Sequence, residues 1–78
     1  MSQNQIDRCI RSTLDQYFHD LRGTEPSGVH EMIIRAAERP MLETVMARAG
    51  GNQSRAAVWL GINRNTLHRK LREHGLLE

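Results

Sequence analysis

Gly50-Gly51-Asn52-Gln53-Ser54-Arg55-Ala56-Ala57-Val58-Trp59-Leu60-Gly61-Ile62-Asn63-Arg64-Asn65-Thr66-Leu67-His68-Arg69-Lys70-Leu71-Arg72 is the stretch on which the fold turns. It spells two short helices and a tight corner. The glycine pair interrupts whatever precedes it, and Asn52 is a residue type whose side-chain oxygen caps a helix N-terminus. Ala56, Ala57, Trp59 and Leu60 then lay small or apolar residues along one face of two turns. Gly61 permits a backbone conformation that a side chain opposes, and Ile62 plugs the corner. Asn63 caps again, and Leu67 and Leu71, four apart, point inward from the second helix. Ala57 followed four residues later by Gly61 suits a helix-turn-helix, where a small residue lets the helices approach and the glycine makes the bend.

A step of about 100° per residue sets Asn65, Arg69 and Arg72 opposite Leu67 and Leu71, with Arg64, Thr66, His68 and Lys70 on the flanks. Arg64 stands at the helix tip, where recognition helices reach base edges. A DNA-reading helix needs this layout: apolar inward, cationic and hydrogen-bonding outward, with caps that aim amides at phosphate. A solvated amphipathic helix would share the charge pattern, but not the turn and the paired caps.

Upstream, Ile6, Cys9, Ile10, Leu14, Tyr17, Phe18 and Leu21 recur at three- and four-residue steps and predict a helix over about 5–22, ended by Gly23. Thr24-Glu25-Pro26-Ser27-Gly28 is a connector. A second helix is expected over about 28–49, with Ser27 as its N-cap. Val29, Met32, Ile33, Ala36, Ala37, Met41, Val45, Met46 and Ala49 form its stripe, and Ile34, Leu42 and Ala47 widen it beyond what one short neighbour covers. That surplus argues for a homodimer. Pro40 removes an amide donor and crowds the preceding turn; a kink is expected rather than an end, because the apolar period resumes directly. The organisation expected is a helical dimerisation core over 1–49 and a helix-turn-helix over 50–78, closed at Gly75 with Leu76 or Leu77 folding back.

With 78 residues and +2 net charge the chain is one small domain, marginal alone. Residues 1–51 hold six arginines against seven carboxylates, whereas residues 52–78 hold five cations against two. The basic character thus sits in the last third and points to an anionic partner, with nucleic acid ahead of membrane. One cysteine, Cys9, allows no intrachain disulfide and reads as a small core residue. His19, His30, His68 and His74 show no metal-ligand spacing and read as surface or DNA-proximal. Trp59 reads as packing. No nucleophile–base pair or phosphate loop is visible, so neither an enzyme nor a cofactor, metal or small-molecule ligand is expected. The N-terminus is no signal peptide and no run is long enough to span a membrane, so a cytoplasmic protein is expected.

Gly51-Asn52-Gln53-Ser54-Arg55-Ala56-Ala57, Leu60-Gly61-Ile62-Asn63-Arg64-Asn65-Thr66-Leu67, Arg69-Lys70-Leu71 and His74-Gly75-Leu76 closely resemble the C-terminal helix-turn-helix of the Fis family. The likeness continues more loosely through Tyr17-Phe18 and Glu38-Arg39-Pro40-Met41-Leu42. The same motif closes the NtrC-type activators; with Met1 in front and no ATPase region in the sequence, a free-standing Fis-like protein is expected. The resemblance implies four helices per subunit, the first two interlocked with a partner's, and a role in nucleoid organisation, DNA bending and transcription regulation. It implies that Ile10, Leu14, Tyr17, Phe18, Ile33, Ala37, Met41 and Val45 belong to the dimer core. It further implies that Arg64 contacts a guanine edge, that Asn63 lies against neighbouring bases, and that Asn52, Ser54, Arg55, Thr66, Arg69 and Lys70 hold phosphates, with His68 beside them. Two departures stand out. The family's N-terminal hairpin arm has no counterpart, so stimulation of DNA inversion is not expected, and His68 and Glu73 replace more basic residues.

The sequence therefore reads as an all-α, homodimeric protein that binds and bends double-stranded DNA at the nucleoid. The alternatives are a stand-alone output module of an NtrC-type activator and, in a different class, a small helical module whose basic helix binds an acidic protein.

Overall fold

The computed structural model describes residues 3–77. In order they form α1 (Gln3–Leu21), α2 (Val29–Arg48), α3 (Gln53–Leu60) and α4 (Arg64–Glu73), with no strand among the described residues. The fold is all-α. The helices partition into two compact units, residues 1–33 and 34–78, whose boundary lies inside α2 rather than at the Gly50-Gly51 connector. The reason is the second half of α2 and the turn after it: Leu42 of α2 and Ala49 of the turn are buried together with Ala56 and Ala57 of α3 and Leu67 and Leu71 of α4.

In the first unit α1 has the expected amphipathic pattern, but none of its described side chains is buried. Ile10, Leu14, Tyr17 and Leu21 are half-buried; Ile6, Cys9 and Phe18 are exposed. Cys9 is therefore a free surface thiol in the single chain rather than a core residue. The Tyr17 and Phe18 rings meet edge to face at 5.8 Å. The Tyr17 hydroxyl donates to the Ser27 carbonyl at 3.4 Å, which ties α1 to the connector. Ser27 is not the α2 cap: the Gly28 carbonyl accepts the first helical bond, from the Met32 amide at 3.0 Å. α2 runs unbroken through Pro40, as expected of a proline that does not end its helix. Proline brings no amide, so the Ala36 carbonyl loses the partner it would have had four residues on.

The second unit has a small, complete core. Leu42, Leu67 and Leu71 are its largest fully buried side chains, and Val45, Met46, Leu60, Ile62, Leu76 and Leu77 pack around them. Leu42, expected to belong to surplus surface, is one of its centres: α2 turns that residue toward the helix-turn-helix. Both Leu76 and Leu77 fold back onto the core. Local chemistry builds the corner as expected. Asn52 accepts from the Arg55 amide at 3.0 Å and Asn63 from the Asn65 amide at 2.7 Å. Gly61 sits at φ 74°, in the left-handed region that glycine adopts without steric cost, and lets the Ile62 amide reach back to the Ala57 carbonyl at 3.1 Å. α4 closes the same way, with Gly75 at φ 68° and the Leu76 amide on the Leu71 carbonyl at 2.8 Å.

Trp59 departs from expectation. It is 55% exposed and its neighbour Val58 78%. Ala56, Ala57 and Leu60 define the inward direction of α3, and at 100° per residue Trp59 falls well off that direction, onto the flank. Small alanines at the contact bring the helices together and leave no slot for an indole.

Candidate nucleic-acid interface

α4 is polar on every side but one. Leu67 and Leu71 face the core, while Arg64, Asn65, His68, Arg69 and Arg72 are exposed and Thr66 is half-buried. Asn52, Ser54 and Arg55 are exposed at the N-terminus of α3, and Asn63 is exposed at that of α4. The two caps each satisfy one amide and leave the other first-turn amides to meet an anion. The side chains of Arg55 and Arg64 have no partner among the described residues, so both guanidiniums are free to bind outward. Arg69 is held only by an exposed pair with Glu73, 3.7 Å away and one turn on. A solvated pair of this kind contributes little and exchanges readily for a phosphate.

Lys70, an expected site residue, and His74, expected at the surface, both engage α2. Lys70 is half-buried and its Nζ lies 2.8 Å from Glu38 Oε2. Its charge is thus engaged by α2, where a freely exposed phosphate-binding cation had been expected. Four residues on, His74 is buried rather than at the surface, and its Nε2 lies 2.8 Å from the other Glu38 oxygen. The backbone carbonyl of His74 in turn accepts from Arg39. The ammonium of Lys70 first, and the hydrogen bond from His74 second, hold the Glu38 carboxyl below the usual glutamate range against the opposing effect of burial. Together these contacts dock α4 to α2 with no buried side-chain nitrogen or oxygen unsatisfied among the described residues.

His68 is exposed, but its ring is occupied on both edges: Nδ1 lies 3.2 Å from Gln53 Oε1 of α3 and Nε2 lies 3.3 Å from an Arg72 nitrogen.

Sequence reasoning placed the outward cations correctly on one helix and missed Glu38. The available signal was that Lys70 and His74 are four apart and share a face, which one acidic side chain can bridge; which acid does so depends on residues more than thirty positions away. No group of three or more His, Cys, Asp or Glu among the described residues is placed to hold a metal ion, and no helix among them is long and apolar enough to cross a membrane.

Comparison with known proteins bears on this surface directly. Residues 33–74 match the family of bacterial regulatory proteins named for Fis. The chain is 61% identical over 77 residues to a Fis-like DNA-binding protein of Ralstonia nicotianae, covering 99% of this chain and 100% of that relative. It is 58% identical over 72 residues to a Fis-like DNA-binding protein of Neisseria meningitidis serogroup B, covering 92% and 91%. It is 42% identical over 76 residues to the DNA-binding protein Fis of Glaesserella parasuis, covering 92% of this chain and 78% of that relative.

Proposed function

The chain belongs to the Fis family of bacterial regulatory proteins, and on that premise we propose that it is a homodimeric, DNA-bending regulator acting at the nucleoid. DNA binding is the family's activity and involves no catalysis. The observation that carries the proposal is the outward face of α4: unpartnered Arg64 at its tip, followed by Asn65, Arg69 and Arg72, on a helix whose other face is locked into a core.

In this reading α4 enters the major groove. Arg64 presents a planar pair of donors to O6 and N7 of a guanine, and Asn63 lies against the neighbouring bases. Asn52, Ser54 and Arg55 at the start of α3, with Thr66 and Arg69 on α4, hold phosphates on either side and set the register. Lys70 adds positive potential, but its first duty is to Glu38.

The dimer rests on α1 and α2. Ile10, Leu14, Tyr17 and Ile33 are only half-buried, and Phe18, Ala37 and Met41 are exposed, as are Ile6 and Ile34. A second copy covering these residues, together with Val45, supplies the core that residues 1–33 lack. Two recognition helices set closer than one duplex turn, about 34–36 Å, require the DNA to curve toward them. Curving a 20–30 bp site costs roughly 1–6 kcal/mol, less where the uncontacted centre is A·T-rich.

The test combines gel-shift titration of duplexes permuted in site position and varied in central base composition with solution mass. Position-dependent mobility, tighter binding to A·T centres and a mass of two chains are expected. Position-independent mobility with equal affinities would remove the bending, and a folded monomer would remove the dimer.

A further inference from the structure

The chain Gln53–His68–Arg72 links the N-terminus of α3 to the outer face of α4 and has a defined chemical direction. A guanidinium only donates hydrogen bonds, so the His68 Nε2 facing Arg72 at 3.3 Å is an acceptor and carries no proton. A neutral imidazole with a bare Nε2 bears its proton on Nδ1, which then donates to the Gln53 carbonyl oxygen at 3.2 Å. The assignment follows from Arg72 alone, whichever way the Gln53 amide is drawn. Gln53 is half-buried and is the first residue of α3, directly after the Asn52 cap, so the chain is anchored at its inner end.

We infer that Arg72 is an additional phosphate-binding residue and that His68 and Gln53 are its positioning residues. This rests on the DNA reading above. A free arginine on a helix surface samples many rotamers, and fixing one before binding lowers the entropy lost when a phosphate is gripped. One of the five N–H donors of Arg72 is used by His68, and the others stay available. On α4, Arg64 stands one turn before His68 and Arg72 one turn after; Arg69 is paired with Glu73 and Lys70 with Glu38, and α3 contributes the uncharged Gln53. No carboxylate is paired with His68 or Arg72 among the described residues, so nothing diverts Arg72 from an anion.

The test measures anisotropy of a fluorescein-labelled, A·T-centred duplex across a salt series at pH 8. Arg72→Ala is expected to flatten the plot of log K against log salt by roughly 0.9 for each phosphate released. His68→Ala leaves every arginine and lysine of α4 in place, yet is expected to weaken binding about two- to tenfold by releasing Arg72. The double variant is expected to bind no more weakly than Arg72→Ala, since both changes disable one contact. His68→Gln, whose amide both donates and accepts, is expected to recover most of the loss. Single effects that multiply in the double variant, or a His68→Gln variant no better than His68→Ala, would overturn the positioning role. Undiminished binding by His68→Ala would remove that role while leaving DNA binding intact. A parent protein with no salt-dependent duplex affinity would remove the DNA reading, and this inference with it.

Discussion

Residues 1–33 and 34–78 carry similar apolar patterns and meet different fates. In 34–78 the inward leucines and alanines of three helices find one another, and Leu42, Ala56, Leu67 and Leu71 are at most 1% exposed. In 1–33 the stripe of α1 is as regular, yet Ile6 and Phe18 remain about half exposed, at 51% and 50%. Amphipathic periodicity states that a face is to be buried; it does not state against what. The helix-turn-helix unit completes its core within one chain because tight corners return the chain on itself every ten or so residues. α1 has no such return.

The strongest way to break this contrast is to charge the face of the first region. Ile33→Asp is expected to abolish assembly and, with it, the folding of the first region: a carboxylate placed where the partner's apolar face should lie cannot be paired there. Sedimentation should show single chains, and circular dichroism a loss of helix from the first region while the helix-turn-helix keeps its own. The parent should melt at a temperature that rises with protein concentration, and a concentration-independent melt would make the two regions equally self-sufficient.

Leu67→Ala acts inside the second region and leaves a cavity in a core of few large residues. A loss of about 2–5 kcal/mol is expected from denaturant unfolding. The matching exposed truncation, Val58→Ala, should change stability by less than about 0.5 kcal/mol.

Arg64→Ala tests whether the surface of the second region serves DNA rather than packing. Its side chain has no intramolecular partner among the described residues, so the unfolding midpoint should not move. Discrimination between a guanine and its replacement at one position per half-site should fall by about 1–3 kcal/mol. Equal weakening on every duplex would assign Arg64 to phosphate instead.

A pH-dependent effect is expected at Glu38. Its pKa is lowered in the folded chain, so the stability it contributes is fully present above the unfolded glutamate value, about 4.3. That contribution is lost as pH falls through the lower folded value. Well above that range Glu38→Gln should cost about 1–2 kcal/mol. At more acidic pH the parent and the variant should converge. A gap that persisted undiminished to pH 2 would show that the carboxylate charge is not what docks Lys70.

Where the chain bends was legible from neighbouring residues. Asn52 and Asn63 cap amides two or three positions away, and Gly61 and Gly75 supply the left-handed conformation at which the helices stop. Each is a choice made within one turn, so residue type and spacing suffice. Ser27 shows how narrow that margin is: it too has a capping side chain, but the first helical bond of α2 falls on the carbonyl one residue later, at Gly28, and the Ser27 carbonyl holds Tyr17.

Element type, capping, the inward placement of Leu67 and Leu71 and the outward cations of α4 follow from the sequence itself, because period and cap chemistry are local and each helix repeats them. Tertiary structure alone decided that Leu42 belongs to the helix-turn-helix core, that Trp59 stands outside it, and that Lys70 and His74 share Glu38. Those outcomes depend on which helix faces meet, and the pairing brings together residues more than thirty positions apart. A charge pattern shows that Lys70 lies off the apolar face; only the docking of α4 on α2 determines that a carboxylate is already waiting for it.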